Sequence, residues 1–409
     1  MKKNQIYIKC GTDYTGMTKE LLTECDLAGE IERKFKKTGT ELCLTDKRNP
    51  VSDLQQNNTG IVTEEKQSAI LAKGKRPESN LYRMRIGIKP NLVAPMEASW
   101  GGTTHPEVVA GIVEYLQEKD FTDLVIMEGS WVGDKTSEAY EVCGYRSLCE
   151  KYNVPFLDMQ KEKGIPVECG DMTLNICKSV RDVDFLINVP VLKGHCQTKI
   201  TCALKNMKGL LPNSEKRRFH ALGLHDPIAH LGLGIHQDFI VVDNICGDLD
   251  FEDGGNPVVM NRVLAGMDPV LMDAYVCDMM HYQVEEVPYI VKAAALGVGC
   301  GDISQAEICV TDGNPGKLIP KSRKVVELAD AVEEVESCSA CYGNLIPALD
   351  RLKSEGLLKK LDTRICIGQG YRNQHGNLGV GHCTRNFEHH LDGCPPTEEE
   401  IYEFLKGVL

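Results

Sequence analysis

What most constrains this chain is an alternation: short, nearly unbroken apolar runs, each ending in polar residues and followed by a helical pattern. The runs are RIGIKPNLV (85–93), DLVIMEGS (123–130), DFLINVPVLK (184–193), DFIVVDNI (238–245) and AEICVTD (306–312). A strand apolar on both sides must be covered on both sides, so the pattern predicts an α/β fold with a largely parallel sheet flanked by helices. The short run ending at Cys10 adds an earlier strand, and a helix is expected over Gly16–Lys37. TTHPEVVAGIVEYLQEK opens with Thr104 and Glu107 at capping-box spacing and Pro106 in the first turn. Val108, Val109, Ile112, Val113 and Leu116 then form one apolar helical face. DPVLMDAYVCDMMHY (268–282) reads as another helix.

In sheets of this kind, ligands bind at the carboxyl ends of strands. Lys89, Asn91, Glu128, Ser130, Asn188, Lys193, His195, Asp243 and Asn244 fall at those ends. Thr38–Arg83 is polar and rich in Gly, Asn, Gln and Lys, an insertion or an excursion of hairpins and loops. The chain therefore divides into 1–83, a strand and helix plus this polar insertion; 84–312, the α/β core; and 313–409, a small cysteine-rich α/β region.

Composition narrows the function classes. Across 409 residues the formal charge is −13, which argues against nucleic-acid or anionic-membrane partners. No run of about 18 apolar residues marks a membrane span, and MKKNQIYIKC lacks a signal-peptide core. A cytoplasmic location is expected. There, 18 cysteines are reduced thiols rather than a disulfide framework, and their abundance suggests an anaerobic host.

Four of those thiols stand apart. ESCSACYGNL carries Cys338 and Cys341, and GHCTRNFEHHLDGCPP carries Cys383 and Cys394. A C-x-x-C turn lets two thiolates reach one metal group from a single loop. Leu345, Leu349 and Leu352 continue a helical face after Cys341, placing it near a helix N-terminus that favours thiolate and anionic clusters. Thr397 and Glu400 have capping-box spacing for a helix after Cys394. A 4Fe-4S cluster on Cys338, Cys341, Cys383 and Cys394 is the favoured expectation. Zinc is the alternative cofactor, with His382, His389 or His390 able to replace one thiol. Metal-free thiols are the bland reading. Cys366, in TRICIGQG, reads as part of a buried strand and is held in reserve as a ligand.

The other constellation is VLKGHCQTKITCALKNMKGLLPNSEKRRFH (191–220). From Lys193 to Arg218 it carries seven Lys or Arg and one acid, a local reversal of sign that points to a small anionic ligand. His195, Lys205 and Lys208 are the candidate catalytic residues, His195 as an acid or base near neutral pH. Lys89, Asn91, Ser130, Lys193, Thr198, His220 and Asp243 are the candidate substrate contacts. A merely solvated basic loop is the competing reading. His225, His230 and His236 lack the four-residue period of a helical metal pair and read as ordinary histidines. No G-x-G-x-x-G or Walker loop follows a strand.

Taken together, IGIKPNLV, TTHPEVVAGIVEYL, DLVIMEGS, DFLINVPVLKGH, ALKNMKGLLP and LAGMDPVLMDA resemble, in the same order, the family of domain of unknown function 362. The resemblance runs from about Arg85 to about Asp273, and members are often described as iron–sulfur centre proteins. Many carry a ferredoxin module, where this chain has its looser four-cysteine arrangement. A more distant likeness is to nickel-pincer lactate racemases: TTHP stands at a comparable turn, His195 and Lys205 are ten residues apart, and GLLP follows. Gly129, Ser130 and Trp131 stand where those enzymes have a histidine. That likeness thus implies a two-domain α/β architecture with a cleft rather than nickel.

The expected function is an iron–sulfur oxidoreductase acting on a small anionic substrate and served by an electron-donor protein. A non-enzymatic electron-transfer or cluster-related protein, and a non-redox isomerase or lyase with a structural metal, are the alternatives. Homodimerisation stands as an open expectation.

Overall fold

The computed structural model describes residues 1–42, 61–62 and 84–409. The expected polar excursion lies outside these residues, apart from a helix end at Leu42 and the short strand Ile61–Val62.

One nine-stranded sheet organises the molecule. From edge to edge its strands are Glu307–Val310, Gln5–Cys10, Pro257–Gly266, Phe239–Asp248, Phe185–Val189, Ile86–Pro90, Leu124–Glu128, Phe156–Asp158 and Ile61–Val62. Only Pro257–Gly266 runs antiparallel, against both its neighbours. The expected α/β class with a largely parallel sheet is what forms. Alternation explains why its strands read as continuous apolar runs. Val125 and Met127 pack in one core with Leu186 and Val242, while Leu124 and Ile126 pack in the opposite core with Ile187 and Val241.

Residues 1–42 are built into this sheet. Gln5–Cys10 pairs with two of its strands, and the helices that follow share the core of helix Pro106–Glu118. The single helix expected over Gly16–Lys37 is two, Tyr14–Glu24 and Leu27–Leu42. The break is Asp26, with φ +54°, whose carboxylate accepts from Gly29 N at 3.2 Å. Aspartate tolerates that left-handed conformation and caps the next helix, a local bond that periodicity does not register.

The capping box expected at Thr104 and Glu107 is also absent. His105 is the N-cap and makes no side-chain cap bond. Thr104 is drawn instead into the sheet's carboxyl edge, where its Oγ1 accepts from Asn91 N and donates to Val189 O, both at 2.8 Å.

Residues beyond 312 form a second, smaller α/β layer. Val332–Glu334, Ile365–Ile367, Leu378–Val380 and His389–Leu391 make a wholly parallel four-stranded sheet, covered by helices Ser339–Ser354 and Glu398–Val408. Here the capping box of Thr397 and Glu400 does form. Cys196 and Phe251 of the large sheet's loops complete this small core, which seats one layer on the other.

Candidate functional site

From Ile86–Pro90 the chain winds outward through Leu124–Glu128 and Phe156–Asp158, then returns to Phe185–Val189 on the other side. The strand order reverses there, opening a crevice at the carboxyl ends. Lys89, fully buried, ion-pairs with Glu128 and donates to Asn206 Oδ1 at 3.1 Å. Asn206 Nδ2 donates in turn to Asn188 Oδ1 at 2.7 Å. Gly209 is required at this point, since a Cβ there would lie 2.6 Å from Lys89 Nζ. The floor of the crevice is thus a closed polar network.

Above it lies a cavity of about 120 Å³, room for several water-sized groups. One wall is the basic loop, with Lys193, Lys205, Lys208 and His220; the other is the start of helix Ser339–Ser354, with Cys338, Ser339 and Cys341, and with Cys394 beside it. Lys89, Asn91 and Ser130 also face it. Ten of the expected site residues are therefore assembled by the fold from segments up to three hundred residues apart.

At its centre stands Glu252, which no sequence pattern singled out. Its Oε2 contacts His195 Nε2 and lies 3.8 Å from Lys205 Nζ, while its Oε1 is buried without a partner. Burial pushes this carboxyl up, but His195, Lys205 and Lys193 carry it down to about 2. Burial and the Lys205 charge bring Lys193 down to about 7, and its ammonium donates to Gly102 O and Glu252 O. Lys208 is brought to about 7 by burial and then by Lys205. Among the described residues its ammonium makes no hydrogen bond or ion pair and stands 5.9 Å from the Phe219 ring. His220 Nε2 lies 3.3 Å from Ser339 Oγ, whereas its Nδ1, buried like Thr201 Oγ1, has no partner. Buried polar atoms left unbonded, beside a cation without a carboxylate, are what a ligand site looks like before its ligand is counted.

Three expected contacts are placed elsewhere. His195 does not line the cavity; its Nδ1 accepts from Gln197 N at 3.0 Å and Thr198 N at 3.2 Å, which puts the proton on Nε2, toward Glu252. Burial lowers it to about 3, so it is a neutral strut rather than a titrating base. Thr198 spends its hydroxyl on Ile200 O at 3.0 Å. Asp243 grips His105 N at 2.7 Å, His105 Nδ1 at 2.9 Å and Ile245 N at 3.0 Å, away from the cavity. Besides Glu252, sequence reasoning missed Lys216, which donates to Gly129 O and Ser130 O at 2.8 and 2.7 Å, and Gln197. Gln197 Nε2 bonds Ser337 O at 3.0 Å, and its Oε1 accepts from Ser339 Oγ at 3.0 Å, tying the basic loop to the cysteine turn. Lone acids and amides carry no spacing signal.

The four cysteines form one electrostatic group. Cys338 is the N-cap of helix Ser339–Ser354, and Cys341 lies in its first turn. Burial pushes Cys341 up to about 12, and Cys338, Cys394 and Cys383 push the same way. Cys338 is raised by burial and by Cys394 and Cys383. Cys366 answers instead to burial, Tyr371 and Glu333, outside that group. Gly381, with φ +92°, makes the left-handed turn beside this group, a conformation that favours glycine. Among the described residues no three His, Cys, Asp or Glu side chains converge as the ligands of a single ion do. The described cysteines are free thiols.

Residues 86–278 match the family described as "Domain of unknown function (DUF362)". The match covers a little less than half of the chain. The matched region includes the crevice, the basic loop and Glu252, and it ends before the four cysteines. The chain is also 24% identical over 254 residues to the Thylakoid-associated protein sll1697 of Synechocystis sp., spanning 60% of this chain and 77% of that one. No described helix is long and apolar enough to cross a membrane.

Proposed function

We propose that the chain is a cytoplasmic iron–sulfur oxidoreductase. Cys338, Cys341, Cys383 and Cys394 would hold a 4Fe-4S cluster, and the region matching DUF362 would present a small anionic substrate to it. The observation that carries this reading is that one cavity is lined by Lys205, Lys208 and His220 on one side and by Cys338, Cys341 and Cys394 on the other. Bound there, the cluster would supply single electrons.

The chain's own residues do the rest. Lys208 binds the anion, because its ammonium ion-pairs with no carboxylate among the described residues and faces the cavity. Lys205 orients it, held back by Glu252 at 3.8 Å. With a pKa brought down to about 7, Lys208 can also release a proton near neutral pH. His220 lends its unpartnered Nδ1 to the same space. The helix N-terminus at Cys338 favours thiolate and an anionic group over neutral thiol. Cys338 and Cys341, raised by burial and by the neighbouring thiols, become favourable as thiolates once a cationic metal group takes their charge. Free thiols fit a reducing compartment.

Anaerobic purification with iron and sulfide analysis and electron paramagnetic resonance tests this. About four irons and four sulfides per chain, with a reducible signal, are expected. Serine at Cys338, Cys341, Cys383 or Cys394 should abolish or cripple iron retention, and Cys366→Ser should keep it. One equivalent of zinc and no iron would overturn the reading.

A further inference from the structure

The cysteine group has two sides. Cys338, Cys341 and Cys394 line the cavity, but Cys383 is half-buried and Cys394 is exposed, so the group also reaches the surface at that edge. Three exposed arginines ring this edge. Arg372 is hydrogen-bonded to Cys383 and acts electrostatically on Cys338 and Cys394. Arg217 lies at the cavity mouth and acts on Cys338. Arg385 donates to His382 Nε2 at 2.7 Å, next to Cys383.

None of the three has a carboxylate partner among the described residues. Arg181, Arg262 and Arg364 likewise have none among the described residues; what sets these three apart is that they surround one group of thiols, in a chain where acids outnumber Lys and Arg 59 to 46. Elsewhere Arg33, Arg146, Arg218, Arg323 and Arg351 each face a carboxylate. Asp392, an acid close to Cys394 in the chain, is taken by His382 Nδ1 at 2.7 Å. Guanidinium groups left free around one patch of an acidic molecule select an acidic partner, because the rest of the surface repels it.

We infer that the rim of Arg217, Arg372 and Arg385 around Cys383 and Cys394 is the docking surface for an acidic one-electron carrier protein. This rests on the iron–sulfur reading above. With a cluster held by the four cysteines, the carrier would lose one electron and the cluster would gain it, with no bond made or broken. Arg217 and Cys394 belong to both the rim and the cavity lining, so the docked partner borders the cavity mouth.

The test uses the full chain, reconstituted anaerobically, with a purified acidic [2Fe-2S] ferredoxin as probe and calorimetric titration as readout. Affinity should fall about tenfold or more between about 20 and about 200 mM salt. The double variant Arg217→Glu with Arg385→Glu, which spares the arginine bonded to Cys383, should weaken binding by about tenfold or more while iron content stays unchanged. Arg364→Glu, an exposed arginine on the same small domain, should bind as the parent chain does. Absent binding, salt-insensitive binding, or an unaffected double variant would overturn the docking surface. So would a double variant that loses affinity for a small anion such as sulfate but not for the ferredoxin; the arginines would then steer substrate. Iron analysis separates the two readings. A chain without iron that still binds the ferredoxin sinks the cluster and keeps the surface, and a chain with the cluster and no binding does the reverse.

Discussion

Two regions of this molecule pair a buried histidine with a buried carboxylate, and they behave in opposite ways. In one, Asp243 meets His105, and every bond of that carboxylate is spent: on two backbone amides and the imidazole. In the other, Glu252 meets His195 among Lys193, Lys205 and Lys208, with one oxygen left unpartnered. Burial pulls His105 down, but Asp243 outweighs it and leaves the pKa raised. Burial takes His195 to about 3 despite Glu252, with Lys205 adding to the fall. The first pair is a clasp between a helix start and a strand end. The second is one wall of a cavity. Residue type does not separate them; a surplus of cations and an unsatisfied oxygen do.

The largest effect should come from breaking the second pair. Glu252→Gln removes the carboxylate that balances Lys205 and Lys193, and should destabilise the fold by about 3 kcal/mol in urea unfolding. Asp243→Ala strips the clasp of its acceptor and should cost about 2 kcal/mol, with sulfate or acetate affinity unchanged. Equal losses of anion affinity in the two variants would erase the distinction. Lys208→Ala should weaken such anions about tenfold, about 1.4 kcal/mol. The parent chain's affinity should decline as pH rises through about 7, where Lys208 loses its charge, and the variant should show a shallower decline, the remainder coming from Lys193, which is also brought to about 7.

The smallest effect sharpens the contrast most. His105, raised in the folded state, contributes stability below its unfolded pKa of about 6.5 that is lost as pH rises through the folded value. His195, depressed to about 3, contributes stability above about 6.5 that is lost as pH falls toward 3. Between about pH 7 and 5, then, His195→Gln should flatten the loss of stability on acidification and His105→Gln should steepen it. Matching slopes in thermal melts of the two variants would show the pairs to be alike.

Six of the nine strands were legible in the sequence because strands covered on both faces leave a continuous apolar run, and their polar ends mark the crevice without any help from contacts. Lys89, Asn91 and Ser130 were found that way. Phe156–Asp158, Ile61–Val62 and the antiparallel Pro257–Gly266 were not read from the sequence. The break at Asp26 and the diversion of Thr104 were not, since each turns on one hydrogen bond that competes with a periodic pattern. Lys205, Lys208 and the cysteines were visible as local clusters of charge or sulfur.

What sequence could not give was company. Whether the cysteine turn faces the basic loop, whether His195 is free or locked, and which acid balances three lysines all depend on distances between residues fifty to two hundred positions apart. Glu252 and Gln197 carry no spacing signal, because their partners come from other segments of the chain. Burial and pairing, which set their charge and availability, exist only once the two layers close on each other.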